Sequence, residues 1–187
     1  MNRSPTARLR VLPTSALVPA ELAAIRRLMD AAFGTEPENS FDDDDWAHAL
    51  GGSHFVLDMA GEIVSHASVV ERELHVAGQP IHTGYVEAVA TLPQRQGLGY
   101  GSQVMVAVNE HIAAGYELGA LGTGSREFYE RLGWRVWQGP TFVRTEAGQE
   151  RTPDEDGGIL ILLTPATPAA LDLSAPISCE WRSGDVW

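Results

Sequence analysis

The sequence predicts a single α+β domain over residues 1–187, and three features of the chain carry this prediction. Apolar and polar residues alternate through most of residues 54–91, a pattern typical of strands joined in hairpins. Apolar residues recur at helical spacing in residues 19–33 and again in a stretch that ends near residue 114. The second helical stretch lies between two apolar segments, which indicates a strand–helix–strand unit.

The composition predicts a soluble cytoplasmic protein. Lysine and arginine number 13 against 25 aspartate and glutamate residues, so the formal net charge is −12. This balance argues against nucleic acid as a partner, because phosphate binding needs basic residues. It favours capture of a cationic small molecule, although solubility alone explains the same charge. The single cysteine excludes an internal disulfide, and no apolar run approaches the ~20 residues of a membrane span, so no membrane contact is expected.

The first third of the chain predicts a strand, a helix and an acidic loop. Residues 7–13 are predicted to form a short strand, and residues 19–33 carry apolar side chains near helical spacing. Gly34 is the expected stop of that helix. Residues 36–45 are rich in acidic side chains and predict a loop. Within it, Asp45 is either a solvated carboxylate or the N-cap of a helix that begins immediately after it.

The middle of the chain predicts three consecutive strands. Residues 54–59 and 62–76 alternate apolar and polar side chains, and an Ala-Gly pair between them predicts a hairpin turn. A second turn is expected at residues 77–79. Residues 84–91 contain few polar side chains, which indicates a central and buried strand.

The last part of the chain mixes short elements with an irregular end. A glycine-rich turn at residues 94–101 precedes the second helix, and residues 116–121 form a short apolar segment that predicts a strand. Residues 125–132 predict a short helix that ends at Gly133. The closing strands are predicted at residues 134–137, 141–144 and 159–163. Residues 171–187 show little periodicity.

The glycine-rich turn has the residue types that an anion-binding loop needs. Residues 94–99 read QRQGLG between an apolar strand and an amphipathic helix. Backbone N–H groups at a helix start point in one direction, and glycines let a diphosphate approach them closely. The Walker A pattern is absent because no lysine followed by serine or threonine is present, and a Rossmann turn would need its third glycine elsewhere. A turn without a ligand is the alternative.

This hexamer resembles the acyl-CoA loop Q/R-x-x-G-x-G/A of the GNAT N-acetyltransferases. Residues 128–134, which read FYERLGW, resemble the second hallmark of the same superfamily and follow in the expected order. The resemblance implies the GNAT fold, a mixed and mostly antiparallel central sheet with a splayed strand pair and flanking helices. It also implies acetyl-CoA as co-substrate, with pantetheine lying along the strand that precedes the loop. No metal is expected, since the six histidines lack paired ligand spacing.

The chain further resembles the aminoglycoside 2′-N-acetyltransferases from about residue 7 to residue 187. The segments that carry this resemblance are DW (45–46), LGG (50–52), GYVE (84–87), QGPT (138–141), RTPDED (151–156) and CEWRSGDVW (179–187). The last segment is the most specific, because generic GNAT proteins do not end in this way. The resemblance implies N-acetylation of the 2′-amino group of aminoglycoside antibiotics by direct transfer in a ternary complex. It also implies antibiotic resistance and a homodimer.

The resemblance also implies the residues of the site. Glu87 would be the general base, acting through water, and Tyr129 would protonate the departing CoA thiolate. The implied cofactor-binding residues are Val89, Ala90, Thr91, Gln96, Gly97, Leu98, Gly99, Tyr100 and Gly101. The implied substrate-binding residues are Asp45, Glu87, Ala88, Gly122, Asp154, Glu155, Asp185 and Trp187. Trp187 would act through a free carboxylate, so residues 171–187 are expected to contribute to the substrate site.

Residue types alone leave plainer alternatives open. Glu87 is also explained as an exposed carboxylate at a strand end, and Tyr129 as a core aromatic residue. Trp181 and Trp187 are alternatively anchors of the tail on the core. Cys179 matches no nucleophile pattern and is expected to be a small buried apolar residue. Two other functions remain: acetylation of an endogenous amino sugar or other small amine, and a non-catalytic CoA-binding module.

Overall fold

A computed structural model describes residues 6–34 and 41–187 of the chain. The strands are β1 (Ala7–Pro13), β2 (Ser53–Met59), β3 (Glu62–Val76), β4 (Gln79–Thr91), β5 (Leu118–Gly122), β6 (Arg135–Val136), β7 (Thr141–Thr145), β8 (Gly148–Arg151), β9 (Ile159–Leu163) and β10 (Ile177–Glu180). The helices are α1 (Pro19–Phe33), α2 (Asp43–Ala49), α3 (Tyr100–Gly115) and α4 (Arg126–Glu130). Residues 36–40 of the predicted acidic loop lie outside the described residues.

The chain divides into two compact units. The first unit comprises Met1–Val70, as far as it is described, together with Val86–Val108. The second comprises Glu71–Tyr85 and Asn109–Trp187. β3, β4 and α3 each contribute residues to both units. The single-domain expectation stays a prediction.

The first unit is built on antiparallel strand pairs. β1 pairs with β2, and β2 pairs with β3 across a tight hairpin. α1 starts at a proline, and the carboxylate of Glu21 accepts a hydrogen bond from the N–H of Val18 at 3.1 Å. Gly34 ends the helix with φ 83°, as predicted. Side chains of α1, β2 and β4 share one apolar core: Ile25, Leu28, Met29, Val56, Ala88 and Ala90.

α2 corrects the predicted cap. Asp42, rather than Asp45, is the N-cap, and its carboxylate accepts the N–H of Asp45 at 2.9 Å. The carboxylate of Asp45 in turn accepts the N–H of Asp42 at 3.0 Å. This reciprocal pair starts the helix three residues earlier than a cap at Asp45 would, and the acidic first turn suits the positive end of the helix dipole.

The second unit contains a mixed sheet in the strand order β6-β9-β5-β4-β3-β10-β7-β8. β4–β5 and β7–β10 are the parallel pairs, whereas β5–β9, β6–β9, β3–β10 and β7–β8 are antiparallel. β4 and β5 pair only from Thr83 to Tyr85 and from Leu118 to Ala120, although both strands continue. The predicted mixed, mostly antiparallel sheet with a splayed strand pair is therefore confirmed.

Several predicted strand limits are wrong. β4 begins at Gln79, five residues before the predicted start, and β5 begins at Leu118 rather than residue 116. β8 was not predicted because all four of its residues are exposed and carry no apolar pattern. β10 lies in the irregular tail and is defined by its pairing with β3 and β7, which are distant in sequence.

A buried polar chain crosses the core of the first unit and ends on β4. The Nδ1 atom of His66 lies 2.8 Å from the carbonyl oxygen of Ala88. The Nε2 atom of His66 lies 2.9 Å from Nδ1 of His54, and Nε2 of His54 lies 2.8 Å from the hydroxyl of Thr14. Because a carbonyl only accepts, Nδ1 of His66 carries a proton, so its Nε2 accepts from Nδ1–H of His54 in the neutral pair. The hydroxyl of Thr14 donates to His54 and accepts the N–H of Gly51 at 2.9 Å.

The imidazoles of His54 and His66 are both fully buried and neutral. Burial lowers the pKa of His54 from 6.5 to about 4. Burial also lowers the pKa of His66 to about 3, against the opposing effect of its hydrogen bond to Ala88. A second proton on His66 would face Nδ1–H of His54, and a second proton on His54 would face the hydroxyl of Thr14, so either protonation requires hydrogen bonds of this polar chain to reorganise.

We predict that the free energy of unfolding falls as the pH drops from about 6.5 towards 4. The unfolded chain binds protons at both histidines below pH ~6.5, whereas the folded chain does not until about pH 4. Each histidine contributes a slope of up to about 1.4 kcal/mol per pH unit in that window. Urea unfolding at several pH values measures the slope. His66→Asn, which keeps a donor near the Nδ1 position, should reduce this slope by about the contribution of one histidine. An unchanged slope would contradict the assignment.

Candidate active site

The glycine-rich loop between β4 and α3 lies in the first unit. Gly97 and Gly99 have φ angles of 74° and 84°, in the left-handed region that favours glycine. A Cβ atom at either position would meet no heavy atom within 4 Å, so the space above both glycines is open. The N–H of Gln103 donates to the oxygen of Gly99 at 3.0 Å and starts the helix. Tyr100 and Gly101 are the first residues of α3.

These features fit the diphosphate of a CoA molecule. α3 has 16 residues and no acidic residue in its first turn, so its first N–H groups and its dipole are available to an anion. The side chain of Leu98 is 60% exposed on the same loop, and Gln96 is exposed beside it. The open left-handed glycines allow close approach of a phosphate to the backbone.

The end of β4 offers one backbone edge to a ligand. The hydroxyl of Ser65 donates to the oxygen of Ala90 at 3.0 Å, and His66 donates to that of Ala88. Val89 lies between these two residues, on the part of β4 that follows its last pair with β5 at Tyr85. The side-chain amide of Gln96 donates to the oxygen of Thr91 at 3.2 Å and ties the loop to the strand. The sequence-predicted cofactor residues are thus brought together within the first unit.

Glu87 and Ala88 precede this edge on the same strand. Glu87 is half-buried, and its backbone oxygen accepts the hydroxyl of Ser68 at 3.3 Å. Ala88 is buried, and its backbone has φ 50°, a value that residues other than glycine rarely adopt inside a strand. The base role of Glu87 stays a prediction.

Tyr129 lies in α4, in the second unit, and is buried. Its ring packs edge-on against Phe128 and Trp134, with centroid distances of 4.9 and 6.3 Å. Burial raises the pKa of Tyr129 to about 12, above the reference value of ~10. The hydroxyl is therefore protonated at neutral pH and carries a proton that it can donate in a hydrogen bond.

Three predicted substrate carboxylates are brought together in the second unit. Burial is the main reason that the pKa of Glu155 is raised, and the negative charges of Asp185 and Asp154 raise it further. Trp187 bonds both to Thr152, which precedes the turn of Asp154 and Glu155, and to Asp185, so the three acidic residues belong to one region of this unit. A cation bound among them would relieve the repulsion and favour ionised Glu155.

Asp156, the fourth acid of this region, has a structural role. Its carboxylate accepts both the N–H and the hydroxyl of Thr141, at 3.0 and 2.9 Å. Arg151 donates to both of its oxygens, at 2.9 and 2.6 Å. These donors hold the pKa of Asp156 well below its usual range, with Arg151 the largest cause. The pair fixes the turn that carries Asp154 and Glu155.

The tail is anchored beside that turn by Trp187. Its indole N–H donates to the hydroxyl of Thr152 at 3.0 Å, and its backbone N–H donates to Asp185 at 3.1 Å. Arg182 donates to the oxygens of Asp185 and Trp187 at 2.8 and 2.9 Å. Trp187 is buried and Trp181 is 62% exposed, so the anchoring alternative holds for Trp187 alone.

Sequence reasoning missed Arg72, which supports the same tail. Arg72 is buried and donates to the carboxylate of Glu180 at 2.8 Å and to the oxygen of Val186 at 2.9 Å. Its guanidinium lies 4.6 Å from the ring centre of Tyr85, and that of Arg182 lies 5.6 Å from the same ring. The available signal was the period of β3, which places Arg72 on the buried face with Leu74.

Gly122, at the end of β5, is exposed and close to the tail. A Cβ atom there would lie 3.6 Å from the hydroxyl of Tyr85 and 3.8 Å from the carbonyl carbon of Trp187, which are ordinary contacts. Asp45 belongs to α2 in the first unit, where its carboxylate accepts the N–H of Asp42 in the helix cap. Cys179 is buried, as predicted, and burial raises the pKa of its thiol to about 11.

The described residues hold no group of three or more histidine, cysteine, aspartate or glutamate side chains that could bind a metal ion. Within residues 6–34 and 41–187, every helix falls short of the length and apolar content needed to cross a bilayer.

Comparison with known proteins gives a family and close relatives. Residues 15–137 match the family model described as the acetyltransferase (GNAT) domain. The chain is 41% identical over 182 residues to an aminoglycoside 2′-N-acetyltransferase from Mycolicibacterium fortuitum, which covers 95% of this chain and 91% of the relative.

Solved structures share the fold at low identity. A GNAT family N-acetyltransferase (YhbS) from Escherichia coli in complex with CoA has a TM-score of 0.68 and 14% identity, over 96% of this chain and 92% of its own. A GCN5-related N-acetyltransferase from Kribbella flavida has a TM-score of 0.57 and 21% identity, over 72% of this chain. The chain spans about a third, 34%, of the length of that second protein.

Two glycines of β5 should respond differently to alanine. At Gly119 a Cβ would lie 2.9 Å from Cβ of Leu162 and 3.1 Å from Ile112, so Gly119→Ala should lower the unfolding free energy by about 1–3 kcal/mol. At Gly122 the new methyl group makes only ordinary contacts, so Gly122→Ala should change it by less than about 0.5 kcal/mol. Urea denaturation of both variants measures the difference. Equal losses would show that the space around Gly122 is wrongly described.

Proposed function

Because the chain belongs to the GNAT acetyltransferase family, we propose that it transfers the acetyl group of acetyl-CoA to the 2′-amine of aminoglycosides. The 41% identical relative bears that activity in its name and matches nearly the whole chain. The observation that supports the proposal in the structure is the acidic turn of Asp154 and Glu155 beside the anchored tail that carries Asp185. An aminoglycoside is a polycation at neutral pH, and charge-assisted hydrogen bonds to carboxylates are its strongest contacts.

The raised pKa of Glu155 gives a physical reason for such a site to prefer a polycation. Like charges and burial disfavour ionised Glu155 in the free protein. An ammonium group placed beside Glu155 would offset both effects and favour its ionised form. A neutral sugar cannot provide this gain. The net charge of −12 adds a field that attracts cations from a distance.

Acetyl-CoA would be held by the glycine-rich loop and the free edge of β4. Backbone N–H groups of the loop and of the first turn of α3 suit the diphosphate. The backbone of Val89 suits the pantetheine arm, which can bond to it as an added strand does. The residues proposed for these contacts are Val89, Ala90, Thr91, Gln96, Gly97, Leu98, Gly99, Tyr100 and Gly101. When bound, acetyl-CoA supplies an activated thioester.

Two side chains would take part in proton transfer: one accepts a proton from the amine, and the other donates a hydrogen bond to the leaving sulfur. Glu87 accepts a proton from the 2′-ammonium, directly or through water, because only the neutral amine attacks the thioester carbon. The new C–N bond forms as the C–S bond breaks, and the departing sulfur needs a donor. The pKa of Tyr129, about 12, is well above the ~8.5 of a thiol. Tyr129 therefore serves as a hydrogen-bond donor to the developing thiolate. Full proton transfer requires its pKa to fall in the complex.

We further propose a cytoplasmic homodimer of single-domain chains that binds neither nucleic acid nor membranes. The acidic balance supports the exclusion of nucleic acid, because a chain with 25 acidic and 13 basic residues carries a net negative charge that repels phosphates. The dimer rests on the resemblance to the family.

The proposed reaction predicts thiol release that depends on the 2′-amine. With acetyl-CoA and an aminoglycoside that carries a 2′-amine, free CoA should accumulate. With a matched drug that carries a 2′-hydroxyl, release should stay at the background rate, because an uncharged hydroxyl is not acetylated at this position. Equal release from both drugs would contradict the regiochemistry. Release from neither would shift the proposal to an endogenous amine or a silent CoA-binding module.

The role of Tyr129 predicts a selective loss of turnover. Tyr129→Phe removes only the hydroxyl, so kcat should fall about 100-fold while the Kd of CoA changes little. Tyr116→Phe is the matched control, because it removes a hydroxyl from a half-buried tyrosine of the same unit. Steady-state kinetics and calorimetry provide the two measurements. An unchanged kcat in Tyr129→Phe would remove this residue from the mechanism.

A further inference from the structure

Ala88 is the one buried, non-glycine residue with positive φ among the described residues. Two other alanines, Ala60 and Ala77, also have positive φ, but each precedes a glycine in a hairpin turn, where this conformation is common. Ala88 lies within β4, and the left-handed conformation costs about 1–2 kcal/mol there. The surrounding structure must therefore hold it in place.

Side chains of β3 supply the hydrogen bonds that hold this part of β4. Ser65 donates to Ala90, His66 to Ala88 and Ser68 to Glu87, each to a backbone oxygen. In a regular ladder these oxygens would accept backbone N–H groups. His66 is the donor to the strained residue itself, and its bond of 2.8 Å is the shortest of the three.

The polar chain behind His66 is compatible with donation in this direction, which the accepting carbonyl of Ala88 requires. His54 donates to Nε2 of His66, which leaves the single proton of the neutral His66 ring on Nδ1. Thr14 donates to His54 and is itself held by the N–H of Gly51. A reversed tautomer of His66 would set two lone pairs against each other at Ala88.

We propose that His66, with its tautomer fixed by His54, is a positioning residue for acetyl transfer. By holding Ala88 left-handed, it fixes the directions of its two neighbours, the Glu87 carboxylate and the Val89 backbone. A return to regular extended geometry at Ala88 would turn one of these neighbours relative to the other, because an irregularity in a strand re-aims the side chains beside it. This inference rests on the proposed function, in which Glu87 and Val89 serve the reaction.

Three variants separate this role from simple packing. His66→Leu fills the space without a donor, and kcat should fall by about 100-fold with a smaller change in the KM of the amine. His66→Asn retains an N–H near the Nδ1 position, so kcat should remain within about threefold of the wild type. Ser65→Ala is the matched control, since it removes a comparable bond from β3 to Ala90, whose φ is not positive.

The decisive variant is the double substitution His66→Leu with Ala88→Gly. Glycine adopts positive φ without strain, so the bend no longer depends on the histidine, and kcat should recover at least about tenfold over His66→Leu alone. A packing role predicts no recovery, because glycine at position 88 only removes more apolar contact. No recovery, or a wild-type kcat in His66→Leu, would overturn the proposal.

A structural measurement keeps the proposal testable without activity. The crystal structure of His66→Leu should show Ala88 with negative φ, and that of His66→Asn should show φ near the present 50°. A positive φ in His66→Leu would overturn the proposal even if the wild type proves inactive on aminoglycosides. If the wild type releases no CoA with any amine but these φ values are observed, the proposed function fails and the positioning of Ala88 by His66 stands.

Discussion

Buried backbone carbonyls must accept hydrogen bonds, and along the second half of β4 side chains of β3 meet this requirement. Two hydroxyls and one imidazole of β3 thus bond to this part of β4, just before the glycine-rich loop. In the proposal above, the imidazole of His66 is the one of the three that sets the directions of Glu87 and Val89. Because burial keeps this imidazole neutral well below pH 6.5, the shape of this strand in acid is linked to the packing of the first unit.

Local sequence patterns predicted the elements whose structure is decided locally. α1, the β2–β3 hairpin and β9 follow the predicted limits closely. The signals that define them, namely apolar periodicity, turn glycines and helix caps, are all local in the sequence. β10 escaped prediction because its pairing with the distant strands β3 and β7 defines it. β8, which pairs with the adjacent β7, escaped because its exposed residues carry no apolar pattern. The GNAT fold and the family followed from two short motifs and the tail, and both are confirmed.

The supporting residues of the site could not be found in the same way. Arg72 and Asp156 look like ordinary surface charges in sequence, yet one is buried under the tail and the other fixes the acidic turn. His54 and His66 have no spacing that suggests partnership, because the hairpin alone brings them together. The roles of Glu87, Tyr129 and the ligand-binding residues came from resemblance and stay predictions.

The buried thiol of Cys179 has a practical consequence for work on this protein. A thiol reacts with alkylating and disulfide reagents as its thiolate, and here that form is suppressed by a pKa of about 11 and shielded from solvent. Because Cys179 is the single cysteine of the chain, the folded protein should not react with such reagents. Chromogenic titration of thiols during turnover would therefore count coenzyme alone, and a surface cysteine introduced for labelling would be modified at one place.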